Sequence, residues 1–119
     1  MGVHIAYISI GSNRGNRRLN CQAGIDALIN SGIASLVARS PFYKTEPVDY
    51  REQGWFVNAV IKIETAAGPI NLLDQLKLIE KNQGRTNDSP RFGPRIIDLD
   101  ILMSLERVAA DQCFLFDHQ

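Results

Sequence analysis

A chain of 119 residues, 45% hydrophobic and 22% charged, can fold around one core and is too short for two. Thirteen Lys and Arg balance thirteen Asp and Glu. The formal net charge of zero argues against a nucleic-acid or acidic-membrane partner held by bulk charge, and leaves any anion recognition to local clusters.

Residues 4–10 (HIAYISI) alternate and are rich in β-branched and aromatic side chains, which predicts a strand ended by Gly11. In residues 11–32, Leu19, Ala23, Ile25, Ala27, Leu28 and Ile29 follow roughly helical spacing, and Gly32 suits a C-terminal stop. Residues 34–45 (ASLVARSPFYKT) predict a second strand that runs into a proline-containing segment, and residues 47–54 a polar loop. A long alternating strand is expected over 55–65. A helix is expected from Pro69 to about Gly84, with Leu72, Leu73, Leu76 and Ile79 as its buried stripe and Pro69 in its first turn. Residues 85–95 (RTNDSPRFGPR) carry loop signals throughout, and residues 96–103 (IIDLDILM) form the last clear strand. The order β-α-β-β-α-β predicts a single α+β domain over 1–119. Its expected plan is ferredoxin-like, a four-stranded antiparallel core sheet with helices on one face. Residues 104–119 are too few and irregular for a further layer. No apolar run reaches the length of a membrane span, and no basic region followed by an apolar stretch opens the chain. Cys21 and Cys113 lack metal-ligand spacing, so free thiols and a cytoplasmic setting are expected.

The chemistry concentrates at 91–102, RFGPRIIDLDIL. Side chains alternate along a strand, so Ile97, Leu99 and Ile101 share one face while Asp98 and Asp100 share the other, roughly 6–7 Å apart. Two like charges at that spacing suit a cation between them. Magnesium fits because it takes one or two protein carboxylates and completes its shell with water and phosphate oxygens. Arg85, Arg91 and Arg95 lie just upstream, and guanidinium groups bind phosphate through paired hydrogen bonds. An amphipathic strand with solvated acids, paired with arginines at the surface, accounts for the same residues. The residues alone leave both readings open. Asn58 interrupts an apolar run with Phe56 and Val60 on its own face, which suits either a satisfied core amide or one aimed at a flat heterocycle. Glu80, near the end of a helix, reads as a solvated helix acid. The segment Gly11–Asn13 ends a strand and opens a helix without the Gly-Lys-Ser/Thr of a P-loop. His4 and His118 show no metal spacing.

Taken together, YISIGSNRGN, SPFYKTEPV, FVNAVIKIET, LLDQLKLIEKNQGR and RFGPRIIDLDIL resemble the 6-hydroxymethyl-7,8-dihydropterin pyrophosphokinases of folate biosynthesis. The resemblance covers residues 6–102, and the match thins over 104–119, a divergent, shortened tail in which the family's His-Pro segment survives only as FDHQ. It implies transfer of pyrophosphate from ATP to the pterin hydroxymethyl group with release of AMP. It further implies that Asp98 and Asp100 hold two magnesium ions and that Arg85 and Arg95 act with them in catalysis. Glu80, Arg85, Arg91, Arg95, Ile101 and His118 would then line the nucleotide, and Gly11, Thr45, Pro47, Val48, Phe56 and Asn58 the pterin. The short tail raises the expectation of a homodimer, for which a monomer in sedimentation would count against it. Two rivals remain at this point. A nucleotide- or pterin-binding module without turnover would bind ATP and release no AMP. An RNA-binding domain of the same strand order would need a basic face and a stacking-aromatic signature, which GWFVNAVI lacks.

Overall fold

The alternating segment at the N-terminus forms strand β1 (Val3–Ser12), in a computed structural model that describes residues 3–46, 55–83 and 97–107. It is followed by α1 (Arg17–Asn30), β2 (Ala34–Arg39), β3 (Tyr43–Thr45), β4 (Phe56–Thr65), α2 (Pro69–Asn82) and β5 (Asp98–Arg107). The strands pair antiparallel in the order β2-β4-β1-β5, and β3 also pairs with β4. The architecture is α+β, with a five-stranded sheet and two helices.

Five strands replace the four expected, because the segment 34–45 does not run as one strand. The pairing of β2 with β4 slips by one residue between Leu36 and Ala38. Next, the Val60 N–H is taken by the Ser40 hydroxyl at 2.8 Å, and Pro41 has no N–H to offer the ladder. The Ser40 N–H still reaches the Val60 carbonyl at 2.8 Å, and regular pairing then resumes at Tyr43, opposite Asn58.

The core lies between one sheet face and both helices. Ala6, Ile8 and Ile10 of β1 stand beside Ile63, Ile61 and Ala59 of β4, and all are buried. Helix α1 contributes Cys21, Gly24, Ile25 and Leu28, and α2 contributes Leu72, Leu76, Ile79 and Glu80. These sets repeat at helical spacing, which gives each helix one buried stripe. Two residues expected inside are not. Leu19 is 63% exposed and Leu73 is 40% exposed, because each sits to the side of its helix's stripe. Gly24 allows α1 to lie close on the sheet: a Cβ there would collide with Ile97 Cδ1. Asn16 caps α1 by accepting from the Leu19 N–H at 3.2 Å, and Gly32, at φ +81°, ends the turn after it. Among the described residues no helix is long and apolar enough to cross a membrane.

Strand β5 runs on to Arg107, four residues past the expected end. Its register against β1 shifts between Tyr7 and Ile8: Ile101 faces Ile8, Met103 faces Tyr7, and Leu102 is the extra residue of a bulge. Up to Ile101 the odd-numbered residues point to the helices. Beyond the bulge the facing inverts, and Met103 and Leu105, which simple alternation would place in the core, are about half exposed (51% and 54%).

Candidate active site

The face of the sheet turned away from the helices gathers most of the described residues singled out from the sequence. Register carries them there. Gly11 of β1 lies between Asn58 of β4 and Asp98 of β5, and Ser9 lies beside Asp100. On the other side of β4, Tyr43 faces Asn58 and Thr45 faces Phe56. Paired residues in antiparallel strands share a face. Gly11, Thr45, Phe56, Asn58, Asp98 and Asp100 therefore stand on one surface, with the acids at one side and the amide and ring at the other.

Local contacts organise the amide end. The Asn58 Nδ2 donates to Thr45 Oγ1 at 2.7 Å, which fixes the side chain across the strand pair. Its Oδ1 lies over Gly11, where an added Cβ would stand only 2.8 Å away and 3.5 Å from the Phe56 ring. Glycine here is thus a requirement of close approach, with no unusual backbone angle involved. Phe56 and Asn58 are half-buried, so both present atoms to solvent. An amide with further donor and acceptor capacity next to an aromatic edge can recognise a flat, hydrogen-bonding ring.

At the acid end, Asp100 is exposed and Asp98 half-buried, and Gly11 adds no side chain between Asp98 and Asn58. Two carboxylates on one face of one strand form a hard-oxygen donor set, suited to magnesium completed by water and phosphate. Among the described residues no three His, Cys, Asp or Glu side chains converge on one point. Any cation held here would draw its remaining ligands from elsewhere.

Glu80 is not the solvated acid its helical position suggests. It is 2% exposed, and its Oε2 accepts the backbone N–H of Leu99 at 2.8 Å. Lys77, one turn earlier, lies 3.6 Å from its Oε1. Glu80 therefore sits beneath and beside β5 rather than on the open face. Ile101 also turns to the helix side, packed against the core opposite Ile8. Pro47, Val48, Arg85, Arg91, Arg95 and His118 lie outside the described residues, as do both polar loops.

Two residues not singled out from the sequence share the open face, Ser9 beside Asp100 and Tyr43 beside Asn58. Alternation in HIAYISI is enough to place Ser9. Alternation counted from Ala34 also places Tyr43 there, because the two one-residue slips that precede it, at Val37 and around Pro41, cancel. A cavity of about 500 Å³ lined by Arg17, Lys44, Trp55 and Val57 opens elsewhere, and none of those four belongs to the open-face set. Cys21 is buried, and desolvation pushes its thiol up to about 11, which leaves it protonated and inert at neutral pH.

A family model described as 7,8-dihydro-6-hydroxymethylpterin-pyrophosphokinase matches residues 7–113. A Pseudomonas aeruginosa protein named 2-amino-4-hydroxy-6-hydroxymethyldihydropteridine pyrophosphokinase is 42% identical over 102 residues, covering 86% of this chain and 62% of its own length. A Haemophilus influenzae protein of the same name is 38% identical over 113 residues, covering 95% and 70%. An Arabidopsis thaliana folate synthesis bifunctional protein is 44% identical over 95 residues, covering 80% of this chain and 19% of its own. The chain thus spans 62% to 70% of the length of the two bacterial relatives.

Proposed function

The chain belongs to the 7,8-dihydro-6-hydroxymethylpterin-pyrophosphokinase family, and on that premise we propose that it transfers pyrophosphate from ATP to 6-hydroxymethyl-7,8-dihydropterin in folate biosynthesis, releasing AMP. The observation that carries the proposal is the open-face row in which Asp98, Gly11 and Asn58 stand side by side on three neighbouring strands. It sets an acid pair suited to a cation next to a surface suited to a flat heterocycle.

In this reading Asp98 and Asp100 hold two magnesium ions. Magnesium bound there supplies neutralisation of the phosphate charge and a lowered pKa for the attacking alcohol. The chain's own contribution is positioning. Asn58, held by Thr45, pairs with the edge of the pterin ring while Phe56 lies against it, and Gly11 leaves room for both. Pro47 and Val48 complete that slot. Arg85, Arg91 and Arg95 line the nucleotide and absorb charge as it develops on the transferring phosphates. Ile101 and His118 belong to the nucleotide side. We also read the sheet as a ferredoxin-like plan whose second strand is broken into β2 and β3, because counting those two as one gives the βαββαβ order.

AMP release from the full chain, given magnesium, ATP and 6-hydroxymethyl-7,8-dihydropterin, tests the proposal. Turnover supports it. ATP binding by folded protein with no AMP formed would instead identify a binding module.

The pterin slot makes its own prediction. In Gly11→Ala the new methyl group displaces the Asn58 amide, loosening its bond to Thr45 and its aim at the substrate. One misdirected hydrogen bond is worth about 1 kcal/mol, so we expect the pterin dissociation constant, read from pterin fluorescence, to rise roughly 5–10-fold. ATP affinity should not move. Unchanged pterin affinity in a well-folded Gly11→Ala would remove Asn58 from the slot.

A further inference from the structure

Among the described residues β5 is an edge strand, paired with β1 on one side. Edge strands leave a row of backbone groups without a ladder partner. At Leu99 that gap is filled from below, by the buried Glu80 carboxylate accepting its N–H at 2.8 Å. Successive amides of a strand point to opposite edges. With the Leu99 amide turned out toward α2, those of Asp98 and Asp100 turn in toward β1, where the residues register with Gly11 and Ser9. The tripeptide is therefore gripped from both flanks, and the residue gripped by the helix is the one between the two acids.

We propose that Glu80 is a positioning residue for the aspartate pair. Its carboxylate takes the part of a neighbouring strand at Leu99 and fixes the spacing and facing of Asp98 and Asp100, without touching nucleotide or pterin. The placement supports this over a direct role. Glu80 is almost wholly enclosed, lies on the helix side of β5, and already has Leu99 and Lys77 as partners. A carboxylate suits the task because a charged acceptor makes a stronger bond to an amide than a neutral one. The inference rests on the reading of Asp98 and Asp100 as metal ligands given above. Outer residues that orient metal ligands typically change metal affinity roughly 10–100-fold when removed.

The test uses the full chain and manganese as the probe, with free Mn²⁺ followed by electron paramagnetic resonance in the presence of a non-hydrolysable ATP analogue. Hydrogen exchange at the Leu99 amide is read alongside. We expect Glu80→Ala to weaken Mn²⁺ binding at least tenfold and to speed Leu99 exchange, with the affinity for metal-free analogue unchanged. Glu80→Gln keeps an oxygen acceptor in the same place and should restore both readings to within about threefold of the parent. Should Glu80→Ala not melt cooperatively, Glu80→Asp, one methylene too short to reach Leu99, is read in its place. Undiminished Mn²⁺ affinity in a folded Ala or Asp variant overturns the inference alone. A Gln variant as weak as Ala overturns it too, since the charge rather than the Leu99 bond would then matter. No Mn²⁺ binding by the parent chain overturns the metal reading itself.

Discussion

Replacing Asp100 by alanine should cut AMP release by roughly 10²–10³-fold while the protein stays folded. Asp100 is exposed on the open face, so its side chain contributes little burial, and β5 pairs with β1 through the backbone whatever side chain it carries. The loss falls on chemistry, since one remaining carboxylate cannot hold two divalent ions against the repulsion between them. Asp100→Asn separates charge from shape. It keeps one oxygen ligand in place and removes the negative charge, and should lose nearly as much. Steady-state AMP formation, with thermal melting to show that both variants fold, checks this expectation. A folded Asp100→Ala with near-normal turnover would refute the metal assignment.

The second large effect is on stability. Leu76 is 0% exposed at the middle of the buried stripe of α2, whereas Leu73, three residues earlier, is 40% exposed. Leu76→Ala should cost about 2–5 kcal/mol, combining lost burial with the cavity left behind. Leu73→Ala should cost under about 1 kcal/mol, because much of its surface already meets water. Urea unfolding of the two variants side by side decides the matter. Equal losses would mean that α2 is rotated about its axis from the position described.

That pair of leucines also shows where sequence reasoning reaches and where it stops. Spacing alone places a helix from Pro69 and finds Leu72, Leu76 and Ile79, but at 3.6 residues per turn Leu73 fits the apolar stripe as well as its edge. Only the partner surface decides between them. Leu19 fails for the same reason. Its place in the buried stripe belongs to Cys21 and Gly24, residues with weak hydrophobic signals whose smallness is what lets α1 sit on Ile97 and Leu99.

The open face is easier to find, because a period of two leaves no such ambiguity. The facing of Asp98 and Asp100 opposite Ile97 and Leu99, and of Phe56 with Asn58, follows from alternation and agrees with the register. What alternation does not contain is slippage. The breaks around Val37 and Pro41, which turn one expected strand into two, and the bulge at Leu102 each shift the count by one, and only the proline leaves a composition signal, one that does not say how far the register moves. Glu80 is illegible for another reason. A lone acid late in a helix looks solvated unless the edge of a strand is known to need an acceptor.

The bulge at Leu102 also divides β5 into two stretches with separate tolerance for changes in chain length. Loss or gain of one residue after Leu102 would leave Asp98 and Asp100 where they are, since their facing is set by pairing with Gly11 and Ser9 upstream of it. The same change between Ile97 and Ile101 would turn one carboxylate or both into the apolar layer beneath. The strand is thus rigid in length where it carries Asp98 and Asp100 and permissive beyond them, and Leu102 is the residue at which the chain changes from one condition to the other.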